Sequence, residues 1–131
     1  ALMGERTEFD LGLPIARIGD CTRDLQAALE QRWPGAMIIF YGHLGDGNIH
    51  LQVATPGVEP HPGHAIEELV YAIMRDHGGT VTAEHGLGSL KAPFLGHCRS
   101  EAEIALMRTL KGTLDPKGIL NRGKVLGAAA H

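Results

Sequence analysis

A basic excess is the first thing this sequence lacks. With 12 Lys and Arg against 15 Asp and Glu, a net charge of -3 and a pI near 6.2, it has no positive field to condense on phosphates, and nucleic acid is excluded as a partner. Long apolar runs are missing as well. The densest, Ala36 to Tyr41, falls far short of the roughly 20 residues that cross a bilayer, and no charged-then-apolar leader opens the chain. Neither a membrane span nor an export signal is expected. Cysteine is nearly absent: Cys21 and Cys98 lie far apart and neither belongs to a CxxC, which points to reduced thiols in a cytoplasmic protein rather than to disulfides. Aromatics are few, 3 Phe, 2 Tyr and 1 Trp, whereas the 18 Gly and 8 His are abundant and concentrate in two short segments. At 14.0 kDa with 44% hydrophobic residues, the chain has the size and apolar content of a single domain, 1–131, with one core.

Breakers and periodicity divide the chain into short elements. Phe9 to Leu13 alternates as a strand and ends at Pro14; Ile15 to about Arg32 carries the three-four apolar spacing of a helix, stopped by Trp33-Pro34-Gly35. Met37 to Leu44 and Asn48 to Ala54 read as strands, and Asp46-Gly47 between them is a strong two-residue hairpin signal. A second helix follows around Ile66, Leu69, Val70, Ile73 and Met74, closed by His77-Gly78-Gly79. Thr80 to Glu84 reads as a fourth strand and Glu101 to Leu114 as a last helix. The order βαββαβ, with a C-terminal helix and tail, predicts an α+β fold: a ferredoxin-like, four-stranded antiparallel sheet with both helices on one face. Side-chain parity assigns Ile38, Phe40, Leu44, Leu51, Val53, Val81 and Ala83 to the covered face. The open face then carries Tyr41, His43, His50, Gln52, Thr80, Thr82 and Glu84, with Met37 and Ile39 beside them, and is expected to meet an apolar or flavin-bearing partner or a second copy in a homodimer.

The chemistry concentrates at one end of that face. A two-residue turn puts His43 directly opposite His50, and Glu84 ends the fourth strand at the same edge. Two imidazoles and one carboxylate, with remaining positions open, form the ligand set of a catalytic divalent metal, Zn²⁺ first and Mn²⁺, Fe²⁺ or Co²⁺ after it. His85 points to the other side if the strand continues, or is swung back by the break at Gly86, where it suits an acid/base role. Lys91 is a cation within reach of a substrate carboxylate. His61, His64, His77, His97 and His131 sit in loops, beside helices or at the terminus and are assigned no chemistry. The glycines around His43 are not a phosphate loop, because no helix and no Gly-Lys-Ser/Thr follows, and GxGxxG is absent throughout. A zinc hydrolase with a metal-bound water, or a stand-alone ferredoxin-like module binding a metal or small ligand, would use the same residues.

Three ordered motifs narrow these alternatives: Tyr41-Gly42-His43-Leu44-Gly45-Asp46-Gly47-Asn48-Ile49-His50, then Ala83-Glu84-His85-Gly86-Leu87-Gly88 with Lys91, then Leu114-Asp115-Pro116-Lys117-Gly118-Ile119-Leu120-Asn121. Together they resemble the C-terminal domain of FAD-linked oxidases, the group of D-lactate dehydrogenase, the glycolate oxidase FAD subunit and D-2-hydroxyglutarate dehydrogenase. The resemblance implies oxidation of a 2-hydroxy acid by FAD, with an electron acceptor beyond it and an N-terminal FAD-binding domain that these residues do not contain. It implies that His43, His50 and Glu84 bind a metal, that His85 is the base, that Gln52 and Lys91 lie near the substrate, and that the segment around Asn121 packs against the flavin domain. Three positions depart from the family's pattern: Gln52 where Asn is common, Glu8 where relatives of the hydroxyglutarate type have a substrate-binding Lys, and Arg122 in place of Pro.

Overall fold

Alternation carries Arg6–Gly12 into the first strand, β1, which turns Phe9 and Leu11 inward and Arg6, Glu8 and Asp10 to the opposite side. The computed structural model describes residues 4–127. In it, β2 (Met37–His43) and β3 (Asn48–Ala54) complete an antiparallel sheet in the order β1-β3-β2. Helix α1 (Ile18–Arg32) follows β1, and α2 (Gly63–Asp76) follows β3. Their stripes of Ile18, Cys21, Leu25 and Leu29, and of Ile66, Val70, Tyr71 and Met74, close over Phe9, Leu11, Leu51 and Val53 to make the core. Each fully buried Leu there contributes about 1.5 to 3 kcal/mol of transfer free energy, so this face fixes the sheet and leaves the other free for function. A last helix, α3 (Glu101–Leu114), begins at a capping box in which Ser100 Oγ accepts the Glu103 N–H while the Glu103 carboxylate accepts the Ser100 N–H. The result is the expected α+β, ferredoxin-like arrangement of an antiparallel sheet and helices.

Two expectations change in detail. The hairpin loop is not two residues long: Leu44–Asp46 form a 3₁₀ turn closed by Gly47 at φ +78°, and a Cβ there would meet the Leu13 carbonyl oxygen at 2.2 Å. The register consequently pairs Tyr41 with His50 and His43 with Asn48, and Leu44 is exposed instead of buried. The second change concerns the fourth strand. Only Thr80 bridges to Gly12, after which the backbone leaves the sheet and crosses its open face, so Val81 is buried but Ala83 is exposed. The physical reason is Asp10: its carboxylate gathers the backbone N–H groups of residues 83–85 onto one oxygen, and a ladder cannot do that.

Candidate metal and substrate site

The shift in register moves His43 by two positions relative to His50. Two positions preserve parity, so both rings remain on the open face as diagonal instead of directly opposed neighbours. Their centroids are 6.2 Å apart, edge to face. Glu84 arrives over the sheet from the crossing segment, and the ligand atoms of His43, His50 and Glu84 all lie within 4.8 Å of one another. Two imidazoles and a carboxylate at that spacing suit a divalent cation of borderline softness, and His50 is half-buried, which limits competition from water.

His85 comes back to the same side. The left-handed φ of +75° at Gly86 marks the turn, and the His85 ring stacks on His50 with centroids 5.7 Å apart and planes at 26°. Tyr41 covers another side of His50 at 5.0 Å. Beside the cluster opens a cleft of about 460 Å³ whose walls include Glu8, Tyr41, His50, His85, Lys91 and Lys124. Burial pushes the Lys91 ammonium below its usual pKa, against the pull of Asp10 and Glu67. The C-terminal segment completes the wall: the Val125 N–H donates to the Gly88 carbonyl at 2.7 Å, and Lys124 Nζ reaches Ser89 Oγ at 3.4 Å.

Gln52 lies on the open face, its Nε2 donating to Glu8 Oε1 and to the Tyr41 hydroxyl, each at 3.3 Å. It borders the cleft through these two neighbours. Asn121 is not brought to the cluster. It is exposed at φ +44°, at the end of a turn held by Asp115, whose carboxylate accepts the N–H groups of Ile119 and Leu120. The histidines assigned no chemistry stay outside the cluster: His61 sits between Thr7 and Thr55, His77 against Asp24, His64 and His97 near Phe94, and His131 falls outside the described residues.

Asp10 is the residue that sequence reasoning missed. It is 1% exposed although it projects from the open face, because the crossing segment covers it. Its Oδ2 accepts the N–H groups of Ala83, Glu84 and His85 at 3.1, 2.8 and 2.7 Å and the Thr82 hydroxyl at 3.2 Å. Burial alone would raise its pKa, but these backbone donors and the His85 imidazole hold it below the usual carboxylate value. The signal was present in β1, where a carboxylate interrupts the apolar run Phe9-Asp10-Leu11 in register with His50.

The family model described as "FAD linked oxidases, C-terminal domain" matches residues 4–125. The chain belongs to that family. Among named relatives, the mitochondrial D-2-hydroxyglutarate dehydrogenase of Rattus norvegicus is 43% identical over 123 residues, 94% of this chain and 23% of its own length. That of Arabidopsis thaliana is 41% identical over 119 residues, 91% of this chain and 21% of its length. The D-2-hydroxyglutarate dehydrogenase of Stutzerimonas stutzeri is 30% identical over 124 residues, 91% of this chain and 27% of its length. The chain therefore spans about a quarter of the relatives it matches. No helix among the described residues is long and apolar enough to cross a membrane.

Proposed function

We propose that this chain is the substrate- and metal-binding domain of an FAD-dependent dehydrogenase that oxidises a D-2-hydroxy acid, of the lactate, glycolate or hydroxyglutarate type, to the 2-oxo acid. The observation that carries the reading is the convergence of His43, His50 and Glu84 within 4.8 Å, with His85 stacked beside them at a cleft bearing two lysines. The three ligand residues suit a divalent cation, Zn²⁺ first, which when bound polarises the substrate hydroxyl and lowers its pKa. Lys91 and Lys124 supply counter-charge for the carboxylate, and Gln52 and Tyr41 flank the substrate's side chain. With His85 Nδ1 turned towards Asp10 at 3.8 Å, Nε2 is the nitrogen that takes the hydroxyl proton. FAD, held outside these residues, would supply the two-electron acceptor for the α-hydrogen and its electron pair as the C–O bond becomes a carbonyl.

FAD belongs, in this reading, to an N-terminal domain of the same protein, with an electron acceptor beyond it. The surface left bare supports such a partner. Met37, Ile39 and Tyr41 on the sheet, and Leu106, Leu110, Leu114, Ile119 and Leu120 along α3 and the turn after it, are all exposed. Asn121 stands within this second patch, in accord with a contact to the flavin domain. A homodimer would use whatever part of these surfaces the flavin domain leaves uncovered. Two unpaired cysteines suit a reducing compartment, for which we take the cytoplasm; the mitochondrial names belong to the relatives that carry them.

The test uses the full-length protein without oxygen. Adding D-lactate, glycolate or D-2-hydroxyglutarate should bleach the flavin absorbance, a chelator should abolish the effect and Zn²⁺ should restore it. An unchanged flavin spectrum with all three acids would overturn the reading.

A further inference from the structure

Glu84 and His85 are neighbours in sequence, yet one faces the ligand cluster and the other stacks on His50. In a continuing strand their side chains would point apart. A single buried carboxylate accounts for the geometry seen. Asp10 Oδ2 takes four donors, the hydroxyl of Thr82 and the N–H groups of 83–85, whereas a carboxylate offers about four lone-pair positions over both of its oxygens. That oxygen is saturated, so although His85 Nδ1 lies 3.8 Å from it, Asp10 acts on His85 through the backbone.

The other oxygen is the informative one. Oδ1 is buried and has no hydrogen-bond partner among the described residues, which is costly for a charged group. The imidazole Nδ1 of His50 stands 3.8 Å from it, and the register pairs Asp10 with His50 across β1 and β3. A movement of about 1 Å closes this gap to a normal N–H···O distance. A histidine donating Nδ1–H to a carboxylate has Nε2 free, the tautomer that ligation through Nε2 needs, and its ring is held in one orientation.

We infer that Asp10 is the positioning residue of the site, orienting His50 and fixing its tautomer through Oδ1 while Oδ2 splays Glu84 and His85 into their separate places. The inference deepens the proposed function and rests on it only for the use of the ligand set. It also explains why an acid is required and not merely a polar group. In Asp10→Asn the amide oxygen still accepts the backbone N–H groups and keeps the crossing segment in place. The amide NH₂ then faces His50 Nδ1, which must become an acceptor, and the proton moves to Nε2 where it blocks ligation.

The experiment reads the tautomer directly. In the full-length protein, held free of metal and labelled with ¹⁵N-histidine, the long-range ¹H–¹⁵N couplings of His50 should show the Nδ1–H form, and in Asp10→Asn the Nε2–H form. Zn²⁺ affinity, measured by competition with a chromophoric chelator, should fall about 10- to 100-fold in Asp10→Asn, with Asp10→Glu recovering part of it. Finding His50 as Nε2–H in the unaltered protein overturns the inference without any substitution, and so does unchanged Zn²⁺ affinity in a folded Asp10→Asn. Loss of flavin reduction by 2-hydroxy acids in the unaltered protein would instead count against the proposed function, and the tautomer measurement stands apart from it.

Discussion

The rings of His50 and His85 lie stacked, 5.7 Å between centroids, although they come from residues 35 positions apart and only one of them belongs to the ligand cluster. In the proposed mechanism His85 is the base and His50 a ligand, two functions that substitution can separate. In the full-length protein His85→Ala should retain Zn²⁺ and slow flavin reduction about a hundredfold or more, the scale of a lost general base. Stopped-flow absorbance of the flavin is the measurement, and near-normal reduction would remove His85 from the mechanism.

For the ligand cluster, calorimetric titration with Zn²⁺ should give one saturable site, and the pair His43→Ala with His50→Ala should abolish it. Glu84→Ala alone should weaken it while the fold persists, since Glu84 is exposed and contributes nothing to the core. Unchanged affinity in the double variant would show that the site is elsewhere.

Glu8 puts a carboxylate on the cleft wall, paired with Arg6 Nε at 2.6 Å. A substrate with a second, distal carboxylate meets like charge there. Exchanging the sign in Glu8→Lys should raise kcat/KM for D-2-hydroxyglutarate about two- to fivefold, on the scale of an exposed ion pair, and leave D-lactate little changed. Equal effects on both acids would remove Glu8 from substrate discrimination.

Asp115 ties the turn after α3 to Lys111. The Lys111 ammonium, which donates to its carboxylate, together with the N–H groups of Leu120 and Ile119, outweighs the effect of desolvation and holds its pKa below the ordinary value. A folded-state pKa below the unfolded one stabilises above the unfolded value of about 3.9 and is lost as pH falls through the folded value. The urea midpoint of the unaltered protein should therefore drop more between about pH 7 and about pH 3 than that of Asp115→Asn. Parallel losses would mean that Asp115 is not the group responsible.

Much of this arrangement was legible in the sequence because its carriers are local. The three-four spacing of Ile18, Cys21, Leu25 and Leu29 makes a helix wherever the sheet lies, and strand parity keeps His43 and His50 on one face because the register differs from the two-residue hairpin by an even number of positions. The loop length itself was not legible. Asp46-Gly47 is a strong two-residue signal, but the 3₁₀ turn at Leu44 is favoured once Gly47 approaches the Leu13 backbone, a contact that only the tertiary structure creates. The end of the fourth strand was obscured for a similar reason. Thr80 to Glu84 has strand-like alternation, and the group that pulls it from the sheet lies more than 70 residues earlier.

That separation also sets an order of assembly. His43 and His50 meet as soon as the β2–β3 hairpin closes, a local event with little loop entropy to overcome, whereas Glu84 and His85 take their places only when Asp10, 75 residues from His85, has been brought against them. Closing the hairpin alone brings the two histidines near each other without Glu84 or His85. The complete constellation needs contacts from both ends of the domain, so the proposed site exists only where the fold around it is complete.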